Sequence, residues 1–343
     1  MITAQGVELR VGARLLLEQT SFRVAAGDRI GLVGRNGAGK TTLTKTLAGE
    51  TQPSAGLISR SGDIGYLPQD PRTGDLDTLA LDRVLSARGL DEVVRAMRDT
   101  EGAMASADDE TREAAMERYG RLEARFTAAG GYAAESEAHR ITANLALDDR
   151  VLSQPLRTLS GGQRRRVELA RILFSGAQTL LLDEPTNHLD ADSIAWLRDY
   201  LKVYSGGLIV ISHDVGLLEA VVNKVFHLDA NRAVIDQYNL GWSAYLLQRE
   251  TDEKRRRRER ANAEKKAAAL MAQADKMRAK ATKAVAAQNM ARRAEALLHG
   301  LEDVRAADKV AHLRFPDPAP CGRTPLTATE LSKSYGSLEV FTD

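Results

Sequence analysis

Gly34-Arg35-Asn36-Gly37-Ala38-Gly39-Lys40-Thr41-Thr42 fills every fixed position of the pattern G-x-x-x-x-G-K-[ST]. The apolar run Ile30-Gly31-Leu32-Val33 before it reads as a buried strand, and Leu43 to Leu47 after it reads as the start of a helix. Strand, glycine loop and helix in that order are the context such a loop needs. Gly34, Gly37 and Gly39 let the backbone bend so that successive N–H groups point at phosphate oxygens. The helix N-terminus adds partial positive charge. Lys40 can reach the β- and γ-phosphates, and the Thr41 hydroxyl can ligate Mg²⁺. Arg35, Asn36, Ala38 and Thr42 complete the loop. A glycine turn followed by a chance Lys-Thr is the bland alternative, so the rest of the chain has to decide.

Upstream, Val7 to Val11 and Ser21 to Val24 alternate apolar with polar, as half-buried strands do. Downstream, Ile64-Gly65-Tyr66-Leu67-Pro68-Gln69 reads as a short strand ending in a loop. From about Leu90 to Phe126 glycine is scarce, and Met116, Tyr119, Leu122 and Phe126 recur at helical spacing. This predicts a pair of helices split by an acidic turn at Asp108-Asp109. A helix is expected from Arg164 to Leu173, a buried strand from Thr179 to Leu182, a helix from Ile194 to Tyr204 and a strand from Leu208 to Ile211. Strands and helices alternate, which predicts an α/β domain around a largely parallel sheet.

Composition sets limits. A chain of 343 residues that is 43% hydrophobic but only 5% aromatic predicts a large, mostly aliphatic core. One cysteine, Cys321, excludes a disulfide within the chain and suits a reducing cytosol. Met1 to Gly6 lacks the basic and apolar regions of a signal peptide, and the longest apolar runs are too short to span a bilayer. A soluble, cytoplasmic protein with no membrane insertion is expected.

The strand Thr179 to Leu182 runs into Asp183 and Glu184, an apolar strand ending in two carboxylates. Asp183 can hold Mg²⁺ through water, and Glu184 can polarise the water that attacks a γ-phosphate. An ordinary acidic strand end is the alternative. The order of motifs then matters more than any one of them. The glycine loop, Tyr66-Leu67-Pro68-Gln69, Leu159-Ser160-Gly161-Gly162-Gln163, Leu182-Asp183-Glu184, Leu189-Asp190 and Ser212-His213 together resemble the ATP-binding cassette superfamily. The resemblance implies a P-loop ATPase fold that binds ATP with Mg²⁺. It implies that Gln69 touches the metal and senses the γ-phosphate, and that His213 is the switch histidine beside it. It also implies that Ser160, Gly161, Gly162 and Gln163 form the signature, which faces the nucleotide of an opposite cassette, and that Asp190 lies in the D-loop between cassettes. Adenine usually stacks on an aromatic residue near the first strands; Val11 holds that place here, so discrimination of adenine is expected to be loose.

Glu184-Pro185-Thr186-Asn187-His188-Leu189-Asp190 resembles more narrowly the ABC-F subfamily, which carries two cassettes on one chain and no membrane domain. The helical excursion lies where that subfamily has its arm. After Trp242 the composition shifts again. Lys254 to Arg293 holds 14 Lys and Arg against 3 Asp and Glu, while the whole chain is only +1, so the positive charge is segregated. Ala263, Ala267, Leu270, Ala274 and Met277, then Met290, Ala294, Leu297, Leu301 and Val304, form two helical stripes. They predict an antiparallel α-helical hairpin whose tip, Arg278-Ala279-Lys280-Ala281-Thr282-Lys283, is basic. A solvated spacer is the bland reading. One-signed charge with few aromatics favours phosphate contact and shape over base stacking, as suits folded RNA. Arg278, Lys280, Lys283, Arg292 and Arg293 are the candidate RNA contacts. In ABC-F proteins such a hairpin enters the ribosome beside the tRNA, so ribosomal RNA and tRNA are the partners this resemblance implies.

Phe315 to Pro320 is a proline-rich spacer, and Glu330-Leu331-Ser332-Lys333-Ser334-Tyr335-Gly336 repeats Glu8-Leu9-Arg10-Val11-Gly12, with Tyr335 in place of Val11. The expected organisation is a cassette over 1–240 with its arm at about 88–128, a basic hairpin linker over 241–314, and the start of a truncated second cassette over 315–343. The expected function is an ATPase of the ABC-F type acting on the ribosome, in translation or in antibiotic resistance. ATP turnover would then need a second cassette or a second copy. A transporter's nucleotide-binding subunit with a separate membrane partner, or a non-catalytic ATP-binding fragment, are the alternatives.

Overall fold

Period-two alternation builds the first strands. β1 (Ile2–Val11) buries Ile2, Ala4, Val7 and Leu9, and pairs antiparallel with β2 (Arg14–Val24). The computed structural model describes residues 1–69, 74–106, 109–278, 284–299, 327–336 and 338–342. β3 (Arg29–Gly34) runs into the glycine loop and α1 (Lys40–Ala48). β4 (Ala55–Arg60) returns beside β1, giving an antiparallel sheet of order β2-β1-β4. β5 (Ile64–Leu67) then opens the second sheet.

The middle of the chain is helical. α2 (Ala80–Leu85) is followed by the two arm helices, α3 (Asp91–Ser106) and α4 (Asp109–Ala128), which pack together. Asp109 is the first residue of α4, not part of a turn as expected, while residue 108 lies outside the described residues. The arm is tied down by a forked pair: Arg98 Nη1 and Nη2 donate to the two oxygens of buried Asp82 at 2.9 and 2.7 Å. α5 (Gly131–Asn144), α6 (Asp149–Leu152) and α7 (Gly161–Phe174) follow. α7 begins at Gly161, three residues earlier than the sequence suggested, because Ser160 caps it. The Ser160 hydroxyl accepts from Gln163 N–H, and the Gln163 side chain accepts from Ser160 N–H, a complete capping box.

β6 (Thr179–Asp183), α8 (Ala191–Val203), β7 (Gly207–Ile211), α9 (Val215–Val221), β8 (Lys224–Asp229) and β9 (Val234–Tyr238) complete the domain. Among the described residues the second sheet has the order β5-β6-β7-β3-β8-β9, parallel from β5 to β8 with β9 antiparallel. β6 and β7 are buried on both faces, so each reads as a continuous apolar run. Leu180, Leu182, Leu208 and Val210 face the helices; Leu181, Ile209 and Ile211 face α1 and the antiparallel sheet. The neighbours β6, β7 and β3 all end on one edge. That edge carries Asp183, the Ser212-His213 pair and the glycine loop.

α10 (Trp242–Arg278) is 37 residues long, and α11 (Ala284–His299) packs along it. Ala267, Ala274 and Ala294 of the expected stripes are buried, and their small side chains let the helices approach closely. The root of α10 is anchored by aromatics: Tyr245, fully buried, meets Tyr238 at 5.1 Å and Trp242 at 5.5 Å between ring centres. Lys280 and Lys283 lie outside the described residues. The chain forms two compact units, 1–304 and 305–343. In the second, β10 (Lys333–Tyr335) and β11 (Leu338–Phe341) form an antiparallel pair.

Candidate nucleotide site

The glycine loop closes because two positions exclude side chains. Gly39, at φ +102°, occupies the left-handed region and caps α1. A Cβ on Gly34 would lie 2.7 Å from the Leu228 carbonyl oxygen. Lys40 follows directly as the first residue of α1, and its Nζ donates to the carbonyls of Gly34 at 2.8 Å and Arg35 at 3.1 Å. The ammonium is thus folded over the loop. Burial lowers its pKa, and the charges of Asp183 and Glu184 oppose that shift.

Thr41 and Asp183 lie 142 residues apart in sequence, yet Thr41 Oγ1 donates to Asp183 Oδ2 at 2.7 Å. This contact joins the start of α1 to the end of β6. The Asp183 carboxylate is almost fully buried. Gln69 lines the same cleft. Hydroxyl, carboxylate and amide oxygens are hard donors and suit Mg²⁺. Among the described residues no three His, Cys, Asp or Glu side chains form a metal site of their own. An ion held here would therefore take its remaining ligands from phosphate and water, as Mg²⁺ usually does.

Glu184 follows Asp183 with φ +52°, a left-handed backbone in a non-glycine residue. Such a conformation costs on the order of 1–3 kcal/mol and persists only where its surroundings enforce it. The Glu184 N–H donates to Ile211 O at 2.8 Å, and its own carbonyl accepts from Arg165 at 2.8 Å. The side chain meets the histidine just past β7: His213 N–H donates to Oε2 at 3.2 Å, and His213 Nε2 lies 3.3 Å from Oε1. Burial pushes the Glu184 carboxyl up, and the charge of His213 pulls part of that shift back. A carboxylate of raised basicity beside a histidine can accept a proton from water.

A cleft of about 500 Å³ collects these groups. Val11, Asn36, Gly37, Gly39, Lys40, Thr41, Thr42, Gln69, Asp183, Glu184 and His213 line it, out of the residues the sequence singled out. Arg35 is exposed at the loop, and Ala38 is buried beneath it. Ser160, Gly161, Gly162 and Gln163 are not part of the lining; they form the capped end of α7. Asp190 sits at the exposed start of α8. Arg292 and Arg293 are exposed on α11, and Arg278 ends α10.

Two features escaped the sequence reading. Arg14 pairs across the β1–β2 turn with Val11 and shares the cleft rim with it; the two-residue turn was the available signal. Arg165, in the run Arg164-Arg165-Arg166, is buried and donates to main-chain carbonyls of both the Gln69 loop and the Asp183-Glu184 end. A charge run reads as a solvated face. Helical geometry instead turns each member differently, and Arg166 reaches the carbonyls of Leu145 and Ala146.

A phosphate loop after a parallel strand, a strand of the same sheet ending in paired carboxylates two places away and a capped Ser-Gly-Gly helix define a nucleotide-binding cassette. The family model described as ABC transporter matches residues 17–187, and a second with the same description matches residues 228–315. The chain belongs to the ATP-binding cassette family, and its relatives accord with the ABC-F subfamily within it. It is 34% identical over 269 residues to the tylosin resistance ATP-binding protein TlrC of Streptomyces fradiae, covering 75% of this chain and 47% of that protein. It is 31% identical over 338 residues to YheS of Escherichia coli K12, named a probable ATP-binding protein, covering 98% of this chain and 51% of that one. The chain thus spans about half the length of these relatives. An ATP-binding subunit of an ABC transporter has a similar fold, with a TM-score of 0.52, 19% identity, and coverage of 70% of this chain and 90% of that one.

Proposed function

We propose that the chain binds ATP with Mg²⁺, hydrolyses it between paired cassettes, and uses the cycle to act on the ribosome as an ABC-F type protein. The glycine loop and Lys40 would hold the β- and γ-phosphates. Thr41, Asp183 and Gln69 would hold Mg²⁺, which when bound neutralises charge on the phosphates. Glu184 would take a proton from the attacking water, and His213 would orient the γ-phosphate. Val11 and Arg14 would flank the base, where a guanidinium can stack on any purine. Ser160 to Gln163 and Asp190 would serve the partner cassette, supplied by a second copy or by a second cassette of a longer protein.

One observation carries the ribosomal half of this reading: a basic helix is rooted directly in the cassette. Arg257, Arg258, Lys265, Lys266 and Lys276 of α10 are exposed, as are Arg292 and Arg293 of α11. Glu250, Glu259 and Glu264 pair within the helix with Lys254, Arg255 and Arg260, so they offset only part of the charge. What remains suits phosphate contact. A name such as tylosin resistance on a relative accords with a ribosomal target. Translation factor and resistance protein are both compatible with this chemistry. A cytoplasmic setting is part of this proposal; among the described residues no helix is long and apolar enough to cross a membrane.

The family description favours a second reading, the nucleotide-binding subunit of a transporter. Such a subunit has no use for a basic hairpin. Binding to purified ribosomes across a salt series separates the two. With about six phosphate contacts, affinity should fall roughly a thousandfold or more between 50 and 200 mM salt. Absence of binding, or binding indifferent to salt, would remove the ribosomal reading and leave the transporter one.

A further inference from the structure

Arg165 lies in the second turn of α7, five residues past the Ser160 cap. It is 6% exposed. Its guanidinium spans two loops. Nη2 donates to the carbonyls of Asp183 and Glu184, both at 2.8 Å. Nη1 donates to the carbonyl of Pro68 at 3.3 Å and to that of Gln69. A planar fork with fixed donor directions can bridge two loops in this way; a lysine ammonium is a point donor and cannot reach both sets equally.

Two further contacts bear on the same place. Glu184 keeps its left-handed φ of +52° between two main-chain anchors, its N–H on Ile211 and its carbonyl on Arg165. Gly162, in the first turn of α7, lies against the loop beyond Glu184: a Cβ on it would stand 3.4 Å from Cβ of His188. The end of α7 therefore touches the 184–190 loop through Arg165 and Gly162, and the Gln69 loop through Arg165.

We infer that Arg165 is a positioning residue that ties the Ser160–Gly162 end of α7 to the chain's own Gln69 and Glu184. This rests on the cassette reading above, in which that helix end faces the partner's nucleotide. A shift of α7 when its N-terminus engages the partner's nucleotide would pass through the guanidinium to both loops. Each of two paired sites would then be set by the occupancy of the other. Arg165 touches no phosphate itself; it acts through the backbone of the residues that do.

Arg165→Met and Arg165→Lys in the full chain test this. Hydrogen–deuterium exchange without nucleotide should quicken in residues 66–69 and 183–190 of Arg165→Met, while β3, β7 and α10 keep their protection. The kcat for ATP should fall roughly a hundredfold, the cost of a displacement of about 1 Å at a reacting group, with the Kd for ATP nearly unchanged. Arg165→Lys, which keeps one donor cluster, should fall between. Exchange that rises evenly along the chain, or stays unchanged in both loops, overturns the proposal, and so does a loss confined to ATP affinity. Exchange decides the matter even if the unaltered chain proves to hydrolyse no ATP. That result would sink the ATPase reading without touching the tie between the loops.

Discussion

Replacing Glu184 with Gln probes the site most sharply, because the two side chains share a shape and differ in charge. The carboxylate is 6% exposed, accepts His213 N–H at 3.2 Å and faces His213 Nε2 at 3.3 Å. An amide oxygen preserves the first of these contacts but cannot take a proton from water. Loss of a positioned general base costs about 10²–10⁴ in rate, or about 2.7–5.5 kcal/mol of barrier at 1.36 kcal/mol per tenfold. ATP affinity should hold or rise, since a negative charge beside the γ-phosphate is gone. Stability moves with pH in a defined direction. Burial, partly offset by His213, raises the Glu184 pKa in the folded chain above the ordinary 4.5. The folded protein therefore holds that proton to higher pH than the unfolded chain. The associated stability is complete below the unfolded value and is lost as pH rises through the folded one. Glu184→Gln escapes that loss, so it should melt at a higher temperature than the unaltered protein at neutral pH, with the gap closing towards pH 4.5. Hydrolysis by the unaltered protein should fall as pH drops through the same window, because the base must be ionised. Single-turnover phosphate release with protein in excess reads the rate, and calorimetry at several pH values reads the stability. Phosphate release at the unaltered rate from Glu184→Gln would refute the role given to this carboxylate.

Thr41→Ala removes the donor at 2.7 Å from the nearly buried Asp183 carboxylate. It should cost about 1.5–3 kcal/mol of stability and most of the Mg²⁺-dependent part of ATP affinity, measured by denaturant melts and by titration with and without the metal. Tyr245→Ala empties a fully buried ring position between Tyr238 and Trp242. About 3–5 kcal/mol should be lost, and proteolysis should begin near the root of α10 while ATP binding survives. Arg292→Ala with Arg293→Ala removes two exposed cations from α11. If both contact phosphate, the log–log salt slope of ribosome binding should shrink by about 1.4–1.8, with nucleotide affinity unchanged; an unaltered slope would mean that this face is not the RNA contact.

The phosphate loop was legible because its chemistry is local. Gly39 needs a left-handed backbone and Gly34 has no room for a Cβ, so the residue types themselves report the geometry. β6 and β7 were legible because strands buried on both faces must be apolar throughout. α7 starts before the point propensity indicates: Gly161-Gly162 weakens a helix, and the capping box at Ser160 outweighs that cost. α5 has a faint signature in the sequence, since its buried face is made largely of small residues, Gly131, Ala134 and Ala138, which carry little periodic signal. The contact between Thr41 and Asp183 was foreshadowed by motif order alone. Arg165 was invisible for a different reason. Its partners are carbonyls in segments about 96 and 18 residues away, and every residue type has a carbonyl. The positive charge of residues 254–293 is plain in the sequence because charge segregation over forty residues survives any detail of folding.

Sedimentation of the Glu184→Gln chain through a sucrose cushion with ribosomes, with and without ATP, puts the coupling of cassette to hairpin directly to the test. The chain should pellet with ribosomes when ATP is present, stay largely in the supernatant when it is absent, and come off when α10 and α11 lose their exposed cations. Equal amounts in the pellet with and without ATP, or none in either case, would contradict the account.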